Sequence, residues 1–137
     1  MSDEPAVPPA PLPPGPARKR VLLVEDDPAL AEITKWLLTR DGLEVLHAAD
    51  GMAALDLIRR ERPNLILSDV MLPKMDGYKL CRLVKFDADL RAIPFVFLTA
   101  RTQDKDRETA MAAGADAYFT KPMKNDALLL MVRKHLA

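Results

Sequence analysis

A single cysteine, Cys81, stands in the sequence, so no internal disulfide can form. No secretory signal pattern is present either, and a reducing, cytoplasmic setting is expected. No apolar run is long. The longest, Ala127 to Val132, falls far short of the roughly 20 residues a bilayer-spanning helix needs. Neither sign of charge dominates: Lys plus Arg total 20, Asp plus Glu total 20, and the net charge is zero. That argues against the electrostatic footprint of a nucleic-acid binder and against a basic membrane anchor. No Gly-x-Gly-x-x-Gly follows the first apolar stretch, which makes a dinucleotide-binding domain a poor fit. Apolar side chains are plentiful, at 49% of 137 residues, enough to build the core of one domain and not two.

The first residues differ in kind from the rest. Residues 1–17 hold seven of the twelve prolines (Pro5, Pro8, Pro9, Pro11, Pro13, Pro14, Pro16) and almost no large apolar side chains. Such a segment cannot repay its ordering entropy by burial, so residues 1–19 are expected to form a disordered tail with polyproline II character. Pro8-x-x-Pro11 and Pro11-x-x-Pro14 match the spacing of Pro-rich ligands, but a solubilising tail is the better reading. Residues 20–137 form the folded domain.

From Val21 a period emerges. Val21-Leu22-Leu23-Val24 reads as a buried strand ending in Glu25-Asp26-Asp27. Asp27 and Pro28 suit the start of a helix with Leu30, Ile33, Trp36 and Leu37 inward, stopped near Asp41-Gly42. Leu43 to His47 is a second strand, and Asp50 caps a helix from Gly51 to about Arg60 carrying Ala54, Leu55 and Ile58. Leu65-Ile66-Leu67 is a third strand, closed by Asp69. Asp76 caps a helix with Leu80, Leu83 and Val84 inside. Ile93 to Leu98 is a fourth strand. A helix over 103–113 turns Ala110 and Met111 inward and ends at Gly114. Ala115 to Phe119 is a fifth strand, and Thr120-Lys121-Pro122 precedes a last helix running to about His135. Asp41-Gly42 and Asp50-Gly51 could mark hairpins, but helical periodicity on both sides overrules that. Five strand–helix units in strict alternation predict an α/β fold with a parallel sheet covered on both faces.

In such sheets ligands sit outside the carboxyl ends of the strands. There the chain places Glu25, Asp26 and Asp27, then Asp69, then Thr99 and Ala100, then Lys121. Singly, each has an ordinary explanation: a helix cap, a strand-favouring Thr, a solvated Lys. Together they make a site. Carboxylates about 5 Å apart repel by roughly 3 kcal/mol per pair at an effective dielectric near 20, so the rim calls for a cation. All donors are hard oxygens with no Cys or His cluster, which favours Mg²⁺, with Mn²⁺ as the alternate, over Zn²⁺. A carboxylate between a divalent cation and an ammonium is well placed to attack phosphorus.

The ordered set Val21-Leu22-Leu23-Val24-Glu25-Asp26-Asp27-Pro28, Leu67-Ser68-Asp69-Val70-Met71-Leu72-Pro73-Lys74-Met75-Asp76-Gly77, Leu98-Thr99-Ala100 and Gly114-Ala115-Asp116-Ala117-Tyr118-Phe119-Thr120-Lys121-Pro122 resembles the receiver domain of bacterial two-component response regulators. The resemblance covers the chain from about Arg20 to its end. It implies the flavodoxin-like fold, five strands in the order 2-1-3-4-5 with five helices. It implies that Asp69 accepts a phosphoryl group from a phosphohistidine on a sensor histidine kinase or His phosphotransfer protein. Asp26 would be the direct Mg²⁺ ligand with Asp69, Glu25 would act mainly through water, and the Met71 backbone carbonyl would complete the set. Lys121 would hold a phosphate oxygen and precede a cis bond to Pro122. Thr99 would shift toward the phosphate and Tyr118 would swing inward behind it, while small Ala100 leaves room. Two or three charge-assisted hydrogen bonds, at roughly 1.5–3 kcal/mol each, are on the scale needed to invert a two-state equilibrium.

The sequence departs from the family in places. Glu25 replaces the commoner Asp, Met123 stands where a Phe usually follows Lys-Pro, and Ala117 lacks the second acid of the branch that carries winged-helix DNA-binding domains. The resemblance places Met71 and Arg101, two positions past Asp69 and Thr99, where the family tunes access of attacking water, and their bulk there suggests slow loss of the phosphoryl group. The output surface implied is helix four, strand five and helix five, serving a partner or a homodimer. Leu129 and Leu130 leave the last helix apolar nearly all round, read first as a broad core face. No room remains after that helix for an output domain, so the chain reads as a stand-alone receiver or a piece of a longer protein. It is expected to be no enzyme beyond gaining and losing its own phosphoryl group. The rivals are a receiver-like binding module that does not use phosphate and a Mg²⁺-dependent aspartyl-phosphate hydrolase. The hydrolase typically needs a second Asp where Met71 stands.

Overall fold

Residues alternate strictly along the strands. Val21, Leu23, Leu65, Leu67 and Val96 pack on one face, and Leu22, Val24, Ile66, Phe95 and Phe97 on the other. Both sets are buried, so this sheet must be covered on both sides. The computed structural model describes residues 18–137, and the Pro-rich tail assigned to 1–19 falls outside them except for Arg18 and Lys19. The elements are β1 (Arg20–Val24), α1 (Pro28–Arg40), β2 (Glu44–Ala48), α2 (Gly51–Glu61), β3 (Leu65–Ser68), α3 (Gly77–Lys85), β4 (Phe95–Thr99), α4 (Asp104–Ala112), β5 (Ala117–Thr120) and α5 (Asn125–Leu136). Five parallel strands stand in the order β2-β1-β3-β4-β5, the expected topology. Helices α1 and α5 cover one face, through Ala31, Leu37, Leu38, Leu128, Met131 and Val132. Helices α2, α3 and α4 cover the other, through Ala54, Ile58, Leu80, Val84 and Ala110. None of the described helices is long and apolar enough to cross a membrane.

Three helices start where an aspartate can satisfy their free N–H groups. Asp27 accepts from Ala29 N and Leu30 N at 3.0 and 3.3 Å, Asp50 from Ala53 N at 2.7 Å, and Asp76 from Lys79 N at 2.9 Å. Each cap directly follows a loop at the carboxyl edge, so capping fixes where the loop ends and how it faces the rim.

Several inward assignments do not hold. Ile33 and Trp36 are 57% and 52% exposed, because α1 turns the stripe Ala31, Thr34, Leu37 and Leu38 to the sheet. The Trp36 ring lies instead under the Arg40 guanidinium, 5.0 Å from its centroid. Leu83 and Met111 are also exposed; Cys81 and Ala113 take the inner places beside them. Leu130 points to solvent while Leu128 is buried, so α5 is not core all round. Strand β4 begins at Phe95 rather than Ile93, since Pro94 has no N–H to give the ladder. Strand β5 begins at Ala117 rather than Ala115, whose N–H still closes the end of α4 on the Ala110 carbonyl at 3.1 Å.

The loop after β3 folds back tightly, with Gly77 N donating to Val70 O at 2.8 Å. A Cβ at Gly77 would lie 2.3 Å from the Asp69 carbonyl oxygen and 3.0 Å from the Val70 Cα, both backbone. Gly77→Ala is therefore expected to cost about 2–3 kcal/mol in urea unfolding. Gly42→Ala, with nothing within 4 Å of its added Cβ and a φ of +91°, is expected to cost only about 1 kcal/mol. Equal costs would contradict the close approach.

Candidate functional site

Parallel register brings the ends of β1, β3, β4 and β5 to one rim, with Val24 beside Ser68, Ser68 beside Phe97, and Thr99 beside Thr120. The next residues out are Glu25, Asp69, Ala100 and Lys121. Lys121 Nζ lies 2.7 Å from Glu25 Oε1 and 2.9 Å from Asp69 Oδ2. One ammonium thus answers two carboxylates that would otherwise repel. Its approach is set by backbone geometry: Lys121 N donates to Thr99 O at 2.7 Å, and the Lys121–Pro122 bond is cis. Burial alone would lower the Lys121 pKa. The hydrogen bonds it donates to Glu25 and Asp69, with the charges of those carboxylates, outweigh burial and raise its pKa above the ordinary lysine value.

Each carboxylate is held from its other side. Asp69 Oδ1 accepts from Val70 N at 2.6 Å and Met71 N at 3.3 Å. Glu25, only 5% exposed, accepts at Oε2 from Asp27 N at 3.1 Å. Sequence reasoning found no chemistry in His47, yet its Nε2–H donates to the Glu25 carbonyl at 2.8 Å and anchors the acidic turn. The signal was its place at the end of β2, paired with Leu23.

Asp26 and Ala100 are exposed at the rim, and Asp26 does not join Glu25 and Asp69 in a tight trio. Among the described residues no group of three His, Cys, Asp or Glu side chains is set to hold a metal ion. The donor chemistry still fits Mg²⁺. That ion keeps most of its waters and takes one or two carboxylates, and the free Asp26 carboxylate, Asp69 and the Met71 carbonyl are all hard oxygens.

Thr99 is 1% exposed. Its Oγ1 accepts from Arg101 N at 3.3 Å, while among the described residues no acceptor meets its own proton. Tyr118 is already inward and buried. Its ring packs 6.2 Å from that of Phe97, its hydroxyl donates to the Arg101 carbonyl at 2.9 Å, and the Arg107 guanidinium sits 5.1 Å over its face. Met71 and Arg101 meet each other, with Arg101 Nη2 and Nε 2.9 and 3.2 Å from the Met71 sulfur. Cys81 is buried and its thiol pushed up to about 12, so it is no nucleophile. On the other side of the site a cleft of about 410 Å³ opens between α1 and α5, past Leu30, Ile33, Met123 and Leu128, with Asp69 and Lys121 at its inner end.

A doubly wound parallel sheet with an acid–ammonium pair at its carboxyl rim defines the class, and comparison with known proteins supplies the family. Residues 21–133 match the family model of the response regulator receiver domain. The chain is 40% identical over 119 residues to the DNA-binding response regulator MtrA of Mycolicibacterium smegmatis, covering 87% of this chain and 51% of that protein. It is 41% identical over 113 residues to the transcriptional regulatory protein CseB of Streptomyces coelicolor, covering 82% and 47%. The chain therefore spans about half the length of the curated relatives it matches. Among solved structures, the receiver domain of a Syntrophus aciditrophicus signal transduction histidine kinase superposes with a TM-score of 0.81 at 40% identity, covering 86% of this chain and 89% of that one. The receiver domain of a Pseudomonas aeruginosa sensor histidine kinase, solved with magnesium in its active-site cleft, gives 0.81 at 33% identity, covering 88% and 98%. The chain belongs to the response regulator receiver domain family, whose general role is to accept phosphoryl groups in two-component signalling.

Removing the shared ammonium leaves two nearly buried carboxylates facing each other. Lys121→Met is expected to lose about 3 kcal/mol of unfolding free energy, with part recovered by millimolar Mg²⁺. A variant as stable as the parent, and indifferent to Mg²⁺, would show that the tie carries no load.

Proposed function

We propose that Asp69 is the phosphoacceptor of a two-component phosphorelay. The observation that carries this reading is the Asp69 carboxylate at the end of β3, with one oxygen on two backbone N–H groups and the other on Lys121. An Asp69 oxygen attacks the phosphorus of a phosphohistidine on a sensor histidine kinase or His phosphotransfer protein. The phosphorus–nitrogen bond breaks, and its electron pair returns to the imidazole. Lys121 turns from Glu25 to a phosphoryl oxygen, and the uncommitted Thr99 hydroxyl donates to another. Ala100 adds no bulk on that side. Asp26, Asp69 and the Met71 carbonyl would bind Mg²⁺ directly, with Glu25 acting through water. The metal's contribution is to neutralise charge on the transferring group.

The donor's approach is supported by the cleft between α1 and α5, beside which the exposed Ile33 offers an apolar foothold. The output surface is α4, β5 and α5, where Met111 and Leu130 are exposed. Tyr118 stands inward in this structure. Phosphorylation then acts by raising the population of that arrangement over an outward rotamer. A Mg²⁺-dependent hydrolase is disfavoured by the thioether at Met71, where such chemistry would want a second acid. No activity is assigned beyond gaining and losing its own phosphoryl group, and no nucleic acid or membrane is a direct partner.

Incubation with acetyl phosphate and Mg²⁺ is expected to add one phosphate, seen by intact mass. The adduct is expected to be absent from Asp69→Asn and from samples kept in excess chelator. An adduct that survives Asp69→Asn, or none in the parent protein, would overturn the proposal.

A further inference from the structure

On the α3–α4 side of the site, a line of contacts runs from the core to the mouth of the site. Phe97 is fully buried in β4, and Tyr78 of α3 packs edge-on against it at 5.6 Å. The Tyr78 hydroxyl lies 3.3 Å from both the carbonyl oxygen and Oδ1 of Asp106 in α4. Asp106 Oδ1 in turn accepts from Arg101 Nη1 at 3.1 Å, and the Asp106 side chain is only 13% exposed. The two remaining guanidinium nitrogens of Arg101 rest on the Met71 sulfur. Tyr118 pins the Arg101 carbonyl from below. Arg101 is thus fixed at three points, and its side chain bridges the loops that follow β3 and β4.

We propose that Asp106 is a positioning residue that sets the lifetime of the phosphoaspartate by holding Arg101 across the water-access side of Asp69. The inference rests on the phosphoacceptor reading above. Loss of the group occurs when a water oxygen attacks phosphorus on the side opposite Asp69. The bond to Asp69 breaks, its carboxylate is restored, and inorganic phosphate and a proton leave. An Arg101–Met71 bar tied at Asp106 narrows that approach. A carboxylate in the first turn of α4 also favours the helix dipole, so stability alone cannot report this role. The phosphoryl lifetime can.

The test uses the full chain, loaded with acetyl phosphate and Mg²⁺, freed of donor, and followed by intact mass. Asp106→Ala is expected to shorten the adduct's half-life by about tenfold while the loading rate stays within about twofold. Asp106→Glu is expected to restore most of the lifetime. Because Asp106 acts through Arg101, Asp106→Ala with Arg101→Ala is expected to decay no faster than Arg101→Ala alone. If Asp106→Ala does not fold, Tyr78→Phe takes its place, with a smaller shortening expected. An unchanged lifetime in the folded variant, or additive effects in the double variant, would overturn this inference and leave Asp69 as phosphoacceptor intact. Absence of any Asp69-dependent adduct would overturn both.

Discussion

One ammonium between two carboxylates sets the character of the site. Glu25 and Asp69 come from different strands and are nearly buried, and in low-dielectric surroundings neither is stable as a lone anion. Lys121, from a third strand end, relieves both at once. That arrangement makes the site responsive. Any cation arriving at Asp26 and Asp69, or any phosphoryl group arriving on Asp69, redistributes the charge that Lys121 must answer. The site is held together by the same contact that its proposed chemistry would rearrange.

The rest of the fold supplies the rim on which that contact forms. A sheet apolar on both faces leaves its polar chemistry only at the edges, and parallel strands put all their carboxyl ends on one edge. Aspartate caps then end the loops promptly. Gly77 lets the loop after Asp69 pass within backbone contact of it, and that loop presents the Val70 and Met71 N–H groups to the carboxylate. The Asp27 N–H does the same service for the Glu25 carboxylate, and His47 from β2 anchors the Glu25 backbone carbonyl. The site is therefore built mostly from backbone, with few side chains free to vary.

The strand order came only with the resemblance to receiver domains, while element count, the parallel sheet and the rim residues were readable in the sequence from strict alternation and short buried strands. Sidedness was less so. Ile33 and Trp36 fall within a helical stripe, but α1 packs against β2 and α5, and it is Ala31, Thr34, Leu37 and Leu38 that are buried there. The starts of β4 and β5 turned on Pro94 and on the last turn of α4, local hydrogen-bond matters that apolar periodicity does not register. Sequence placed Tyr118 near Lys121 but could not say which way its ring lay. Its inward position depends on Arg101 and Arg107, which no spacing rule pairs with it. Nothing in the sequence singles out Asp106; only the fold brings it against Tyr78 and Arg101.

A crystal structure with Mg²⁺ and beryllium fluoride tests the central claim most directly. The expected result has the fluoride on Asp69, with Lys121 Nζ within hydrogen-bond distance of a fluorine and released from Glu25. A structure in which Lys121 still bridges Glu25 and Asp69, with the fluoride absent or bound elsewhere, would contradict it.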